Sequence, residues 1–181
     1  METAPLSAGK LTQDELYQQA ASDYGAALAR LARGYEADPD RRQDLVQEIL
    51  LAVWQSLTSF DGRCSLRTWV YRVAHNVAAS YVGREHRRNS HILIGLDLLE
   101  TLPAADHGER VLDERNAFDK LLRLIQQLKP LDRQVILSYL EGMDATSISE
   151  ITGISPGNVA TKIHRIKVIL ARQFQGGSYG Q

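Results

Sequence analysis

The chain has 181 residues, 44% hydrophobic and 24% charged, with 13 Gly, five Pro and one Cys. This composition excludes a wholly disordered chain, a collagen and a coiled-coil rod. A single cysteine excludes an internal disulfide and a multi-cysteine zinc site built from this chain alone.

No apolar run approaches the roughly 20 residues that cross a bilayer. The first ten residues carry no basic stretch followed by an apolar one, so no secretory signal is expected, and a reducing cytoplasm is the expected compartment. The net charge of −1 conceals a pattern. Residues 1–60 hold five Lys and Arg against nine Asp and Glu, residues 61–92 six against two, residues 93–116 two against six, and residues 117–181 eight against five. Two basic segments therefore alternate with two acidic ones, and a basic segment is a candidate polyanion-binding surface.

The periodicity is helical almost throughout, with no alternating strand pattern. Thr12 and Glu15 form a capping box that starts a first helix, whose apolar stripe is Leu16, Ala20, Tyr24, Ala27, Leu28 and Leu31. The break at 36–40 leads to Asp40, read as the N-cap of a second helix over 41–57 with Leu45, Ile49, Ala52, Val53 and Leu57 inward. A connection with the turn pair Asp61-Gly62 follows. Ser65 then caps a long helix reaching about Arg88, its apolar side Leu66, Trp69, Val70, Val73, Val77 and Tyr81. Three such helices make an antiparallel bundle.

Residues 89–116, with Gly95, Pro103 and Gly108 among scattered acids, read as a flexible linker holding one short helix near 96–102. The helical pattern returns at about Glu114 with Leu121, Leu122, Ile125 and Leu128, and Pro130 stops it. Asp132 is read as the cap of a helix carrying Val135, Ile136, Tyr139 and Leu140 inward, ended by Gly142. A short helix over 145–152, the turn Gly153-Ile154-Ser155 and a last helix opened by Pro156 complete the chain, with a frayed tail from Gln173.

Helix, glycine turn and capped helix make the helix-turn-helix pattern. On the last helix Val159, Ile163, Ile166 and Leu170 share one face, and Asn158, Thr161, Lys162, Arg165 and Arg172 point away. Asn can pair with adenine and Arg or Lys with guanine or phosphate, and the start of this helix enters the major groove in such motifs. The bland reading is a solvated helix face. In the first domain Arg67, Arg72, Trp69, Tyr71 and His75 mix cations with rings, which suits single-stranded nucleic acid, and Arg84, His86, Arg87 and Arg88 end the same helix. Against that, Trp54 and Trp69 are expected in the core. The five His offer no pair at metal-ligand spacing beside an acid, and neither a phosphate loop nor a nucleophile elbow occurs. No enzyme activity, metal or cofactor is expected.

The stretch Asp44-Leu-Val-Gln-Glu48 through Trp54, followed by Ser59-Phe-Asp-Gly-Arg-Cys-Ser-Leu-Arg-Thr-Trp-Val-Tyr-Arg-Val-Ala-His-Asn76, closely resembles region 2 of bacterial extracytoplasmic-function (group 4) sigma factors. Residues 121–172, with Leu131-Asp-Arg-Gln-Val135 and Gly153-Ile-Ser-Pro-Gly-Asn-Val159, resemble region 4 of that family. The resemblance implies an all-α fold of two small domains: region 2 over 12–92, a linker over 93–116 and region 4 over 117–173. It implies that Asp44, Gln47 and Glu48 dock on the clamp coiled coil of core RNA polymerase, with a further contact to the flap. Phe60, Asp61, Arg63, Arg67, Trp69, Arg72 and Asn76 would open the −10 element, and the basic helix end Arg84, Arg87 and Arg88 is a further candidate for binding it. Asn158, Thr161, Lys162 and Arg165 would read the −35 element of promoter DNA, and an anti-sigma factor is the implied regulator. The sequence departs from the family at Arg41, Arg42 and Gln43, where acids are usual, at His75, where Arg is frequent, at Ser80 and Gly83, and at Ser149 and Thr152, usually apolar. A stand-alone helix-turn-helix regulator is the alternative; it would need a dimer interface or effector pocket in the first domain.

Overall fold

A computed structural model describes residues 11–92 and 111–176. Among the described residues the fold is all α: α1 (Gln13–Arg33), α2 (Pro39–Ser56), a single 3-10 turn (Leu57–Ser59), α3 (Leu66–Ile92), α4 (Val111–Gln126), α5 (Pro130–Leu140), α6 (Ala145–Thr152) and α7 (Pro156–Gly176). The helices form two domains, α1–α3 and α4–α7. The short helix expected near 96–102 lies outside the described residues.

The capping signals act as local physics requires, with two corrections. The Thr12–Glu15 capping box is present in both directions. The cap of α2, however, is Asp38 and not Asp40: its carboxylate accepts from the backbone N–H of Asp40 and Arg41 at 3.0 and 2.9 Å. Pro39 takes the first helical position, where its missing N–H costs nothing, and that fixes the cap at Asp38, two residues before the expected one. The same rule corrects α5. Pro130 sits in its first turn, Lys129 is the N-cap with no side-chain bond, and Asp132 lies inside the helix. Helix α3 continues past Arg88 and runs unbroken through Gly83. Helix α7 continues beyond Gln173 to Gly176.

The first domain closes over Leu28, Leu31, Leu45, Ile49, Val53, Leu57, Val70, Ala74 and Ala78, all buried. The second closes over Ile125, Val135, Ile136, Met143, Ile148, Val159 and Ile166. Helix α5 departs from its expected orientation. Tyr139 and Leu140 are exposed, whereas Arg133, Leu137 and Ser138 are buried. The reason is that α5 is covered twice, by α7 of its own domain and by α3 of the other. Buried Arg133 caps the end of α4: one terminal guanidinium nitrogen donates to the carbonyls of Gln126, the last residue of that helix, and of Leu128 just beyond it, while its Nε has no hydrogen-bond partner among the described residues.

The two domains meet on a polar seam inside the apolar core. Tyr71 and His75, expected on a nucleic-acid surface, are almost fully buried there. The His75 ring is bonded on one side to the Tyr35 hydroxyl (Nδ1, 2.9 Å) and on the other to Ser138 Oγ (Nε2, 2.9 Å). A neutral imidazole has one donor and one acceptor, and a hydroxyl can serve either role, so both nitrogens are satisfied. An arginine at this position would bring a permanent charge into the seam.

Burial alone holds the His75 pKa down to about 3. The groups facing the ring are the Tyr35 and Tyr71 rings and Ser138, with Arg133 over the far side of Tyr35 and Glu141 beyond Tyr71. In the unfolded chain the same ring titrates near 6.5. Below that pH the unfolded state takes up a proton that the folded state refuses, so the stability contributed by neutral His75 is complete above about 6.5 and declines as pH falls toward 3. Between pH 6 and 5 the expected loss is about 1 kcal/mol relative to His75→Gln. Urea unfolding of both chains at the two pH values measures it; parallel pH dependences would contradict the assignment.

Candidate nucleic-acid interface

Three surfaces carry the residues singled out by the sequence. The first is the outer face of α2. Asp44, Gln47 and Glu48 are all exposed and fall at i, i+3 and i+4, hence on one face. Leu51, 56% exposed, extends that face by one turn. Trp54 is also exposed rather than in the core; its indole N–H donates to Asp14 Oδ1 at 3.0 Å, tying α2 to α1.

Between α2 and α3 runs a groove of about 440 Å³ lined by Glu48, Leu51, Gln55, Asn76, Ser80 and Arg84, among others. Glu48 and Arg84 face each other across it at 2.5 Å. Two sets of residues that the sequence analysis kept apart therefore share one groove. Arg87 is exposed on the same helix, and the Arg88 side chain lies outside those described.

The second surface is the loop before α3 and the start of that helix. Gly62 turns the loop with φ +76°, a conformation other residues rarely adopt. Arg63 folds back on Asp61 at 2.5 Å. The backbone N–H of Arg63, then its side chain, hold the Asp61 carboxyl below the usual carboxylate range. Phe60 packs edge-on against Trp69, with ring centres 5.5 Å apart. The Trp69 indole N–H donates to Ser56 Oγ at 2.9 Å, and the Arg72 guanidinium covers its ring at 5.9 Å. Trp69 is thus half buried: one part belongs to the core and one part to the surface, with Asn76 exposed two turns further along α3.

Arg67 does not join this group. Its guanidinium turns toward the second domain and donates to the Glu141 carbonyl. The cause is helical geometry: Arg67, Tyr71 and His75 recur every four residues and define the face that meets α5, whereas Trp69, Arg72 and Asn76 define another. Sequence reasoning grouped these residues by type, and type does not report the face.

The third surface is α6, its turn and α7. Asp144 caps α6 by accepting from Ser147 N–H at 2.7 Å, and Gly153 ends it in the left-handed region at φ +76°. Thr152, usually apolar in the family, satisfies its hydroxyl by donating to the Ile148 carbonyl at 2.7 Å. Ser155 Oγ accepts from Asn158 N–H at 3.4 Å as α7 begins. Val159, Ile166 and Leu170 are buried, while Asn158, Thr161, Arg165 and Arg172 are exposed, as the pattern predicts. The Thr161 hydroxyl donates back to Gly157 O at 3.0 Å. Lys162 is bonded to Asp132 Oδ1 at 2.5 Å, with Arg165 3.9 Å from the other carboxylate oxygen. Asp132, expected as a cap, instead holds these two cations. Thirty positions separate Asp132 from Lys162, so no local spacing signals the pair.

The Sigma-70 region 2 family matches residues 21–88, and the Sigma-70, region 4 family matches residues 118–170. The chain is 31% identical over 142 residues to the ECF RNA polymerase sigma-E factor of Haemophilus influenzae, covering 73% of this chain and 74% of that protein. The chain belongs to the ECF family of RNA polymerase sigma factors. It is also 28% identical over 165 residues to the RNA polymerase sigma factor CnrH of Cupriavidus metallidurans, covering 86% of this chain and 84% of CnrH. Its fold superimposes on the sigma factor RpoE from Bartonella quintana, solved with the anti-sigma factor NepR, at a TM-score of 0.66 and 20% identity over 91% of this chain and 98% of that one. An ECF sigma factor therefore has its region 2 bundle in α1–α3 and its region 4 helix-turn-helix in α4–α7, as the motifs implied.

Proposed function

We propose that this sigma factor recruits core RNA polymerase through the outer face of α2 and reads promoter DNA with the other two surfaces. The observation that supports it best is the presence of both sigma regions, in order, each with an exposed polar face on a satisfied apolar core. Region 2 would occupy 12–92 and region 4 117–173, with residues 93–116 joining them. Asp44, Gln47 and Glu48 present acid beside exposed Leu51, which suits a basic partner with some apolar surface, the clamp coiled coil of the polymerase. The flap would be the second contact.

At the −10 element the loop Phe60–Arg63 with Trp69, Arg72 and Asn76 would hold an unpaired base. Unstacking costs a few kcal/mol, which stacking and hydrogen bonds in that pocket must return. Arg84, Arg87 and Arg88 would track the backbone. The −35 element would be read as duplex by Asn158, Thr161, Lys162 and Arg165. This chemistry is binding and strand separation; bond formation belongs to the polymerase, and the protein itself has no catalytic role. Among the described residues no helix is long and apolar enough to cross a membrane, and we place the protein in the bacterial cytoplasm, at the nucleoid when active. An anti-sigma factor is the proposed regulator, by analogy with the solved relatives. The stand-alone regulator reading is not favoured.

Asp44→Arg combined with Glu48→Arg should abolish co-elution with sigma-free core polymerase while helicity and the unfolding midpoint stay unchanged; normal co-elution would contradict the docking face. Lys162→Ala and Arg165→Ala should each weaken binding to a −35 duplex by about 1–3 kcal/mol if they touch bases. Fluorescence anisotropy measures this, and wild-type affinity in both variants would remove α7 as the reading helix.

A further inference from the structure

Helix α7 carries Lys162, Arg165, Lys167 and Arg172 and no acid of its own. An acid is supplied from another helix. Asp132, in the first turn of α5, takes Lys162 Nζ on Oδ1 at 2.5 Å, and the Arg165 guanidinium lies 3.9 Å from Oδ2. The Asp132 and Lys162 side chains are only 15% and 23% exposed, whereas Arg165 is 62% exposed. The pair is held firmly from behind, because α5 packs on α7 through buried Val135, Ile136, Val159 and Ile166. An acid in a first turn also complements the helix dipole. That accounts for an acid at this position, but not for two cations of a different helix converging on it.

The two cations sit among the groups proposed to read DNA. Lys162 lies one turn beyond Asn158, and Arg165 one turn beyond Thr161. A lysine is a point charge on a flexible stem and pairs with any phosphate within reach. Such phosphate contacts supply essentially all binding to the wrong sequence. With its ammonium on Asp132, Lys162 can take a phosphate only by giving up a carboxylate. At the right sequence the base contacts of Asn158, Thr161 and Arg165 offset that exchange, and at a wrong sequence nothing does. Specificity is the ratio of the two affinities, and weakening the wrong complex raises it as surely as strengthening the right one.

We propose that Asp132 is a specificity-determining residue of the reading helix: it clamps Lys162 and faces Arg165, so that these cations do not hold DNA of arbitrary sequence. The inference rests on the reading of α7 as the −35 helix. Asp132 itself touches no base in this account; it positions the side chains that do.

The test uses the full chain as wild type, Asp132→Asn, Asp132→Glu and Asp132→Asn combined with Lys162→Gln. Fluorescence anisotropy over a range of salt concentrations measures binding to a random-sequence duplex and to a duplex carrying the element mapped by run-off transcription. On the random duplex, Asp132→Asn should steepen the slope of log K against log salt by about 0.9, the value of one phosphate contact, and bind about fivefold more tightly at about 0.15 M salt. Its affinity for the mapped element should rise less or fall, so that the ratio of the two affinities drops. Asp132→Glu should restore both readouts, and adding Lys162→Gln to Asp132→Asn should remove the extra slope. A merely structural Asp132 would instead lower the unfolding midpoint, weaken both complexes and leave the slope unchanged. Salt slopes for Asp132→Asn and wild type that run parallel would overturn the clamp. An equal rise on both duplexes would overturn its role in specificity. The random-duplex arm needs no promoter: a wild type that prefers no sequence would contradict the reading of α7, while the slopes would still decide whether Asp132 restrains Lys162.

Discussion

The structure depends on α3 being buried on two sides. Its first side packs against α1 and α2 in the manner of any bundle helix, through Val70, Ala74 and Ala78. Its second side would be solvent-facing in an isolated region 2, yet here it carries Tyr71 and His75 into contact with α5 and α6. Burying an imidazole without partners would cost several kcal/mol in an apolar medium. Tyr35 supplies one partner from its own domain, and Ser138 supplies the other from the second domain. Region 2 therefore meets only half of the hydrogen-bonding demand of His75, and region 4 completes it.

The same economy appears in the charges. Cations expected to meet nucleic acid are paired with internal acids: Arg84 with Glu48, Arg63 with Asp61, Lys162 with Asp132. The exposed pairs, Arg84–Glu48 and Arg63–Asp61, are worth little, about 0–1 kcal/mol, and salt screens them; Lys162–Asp132 is more deeply buried. They do not hold the fold together. Their consequence is competitive: a phosphate exchanges for a carboxylate rather than adding to a bare cation.

Much of this was legible in the sequence where the governing physics is local. Capping residues, proline at the first helical turn and glycine after the last one placed most helix ends within a few residues, because each satisfies backbone groups only a turn away. The inward face of α7 was read correctly because one apolar stripe meets one core. Reading failed where two surfaces claim one helix. Periodicity points Tyr139 and Leu140 inward and gives no sign of Ser138, since α5 answers to a second domain that periodicity cannot see. Asp38 and Asp40 can both cap, and only Pro39 decides between them. Arg67 was grouped with Arg72 by charge although the two leave α3 on different faces. Asp132 and Glu141 carried no signal at all, because their partners lie 30 and 111 positions away.

The central claim is that this ECF sigma factor confers promoter selectivity on a polymerase that lacks it. Its most direct measurement is run-off transcription: the full chain is added to sigma-free bacterial core polymerase on fragmented genomic DNA, and the transcript starts are mapped. The account predicts new starts, absent without the chain, that share one pair of sequence elements near −10 and −35. A polymerase that neither binds the chain nor gains any such start would contradict it.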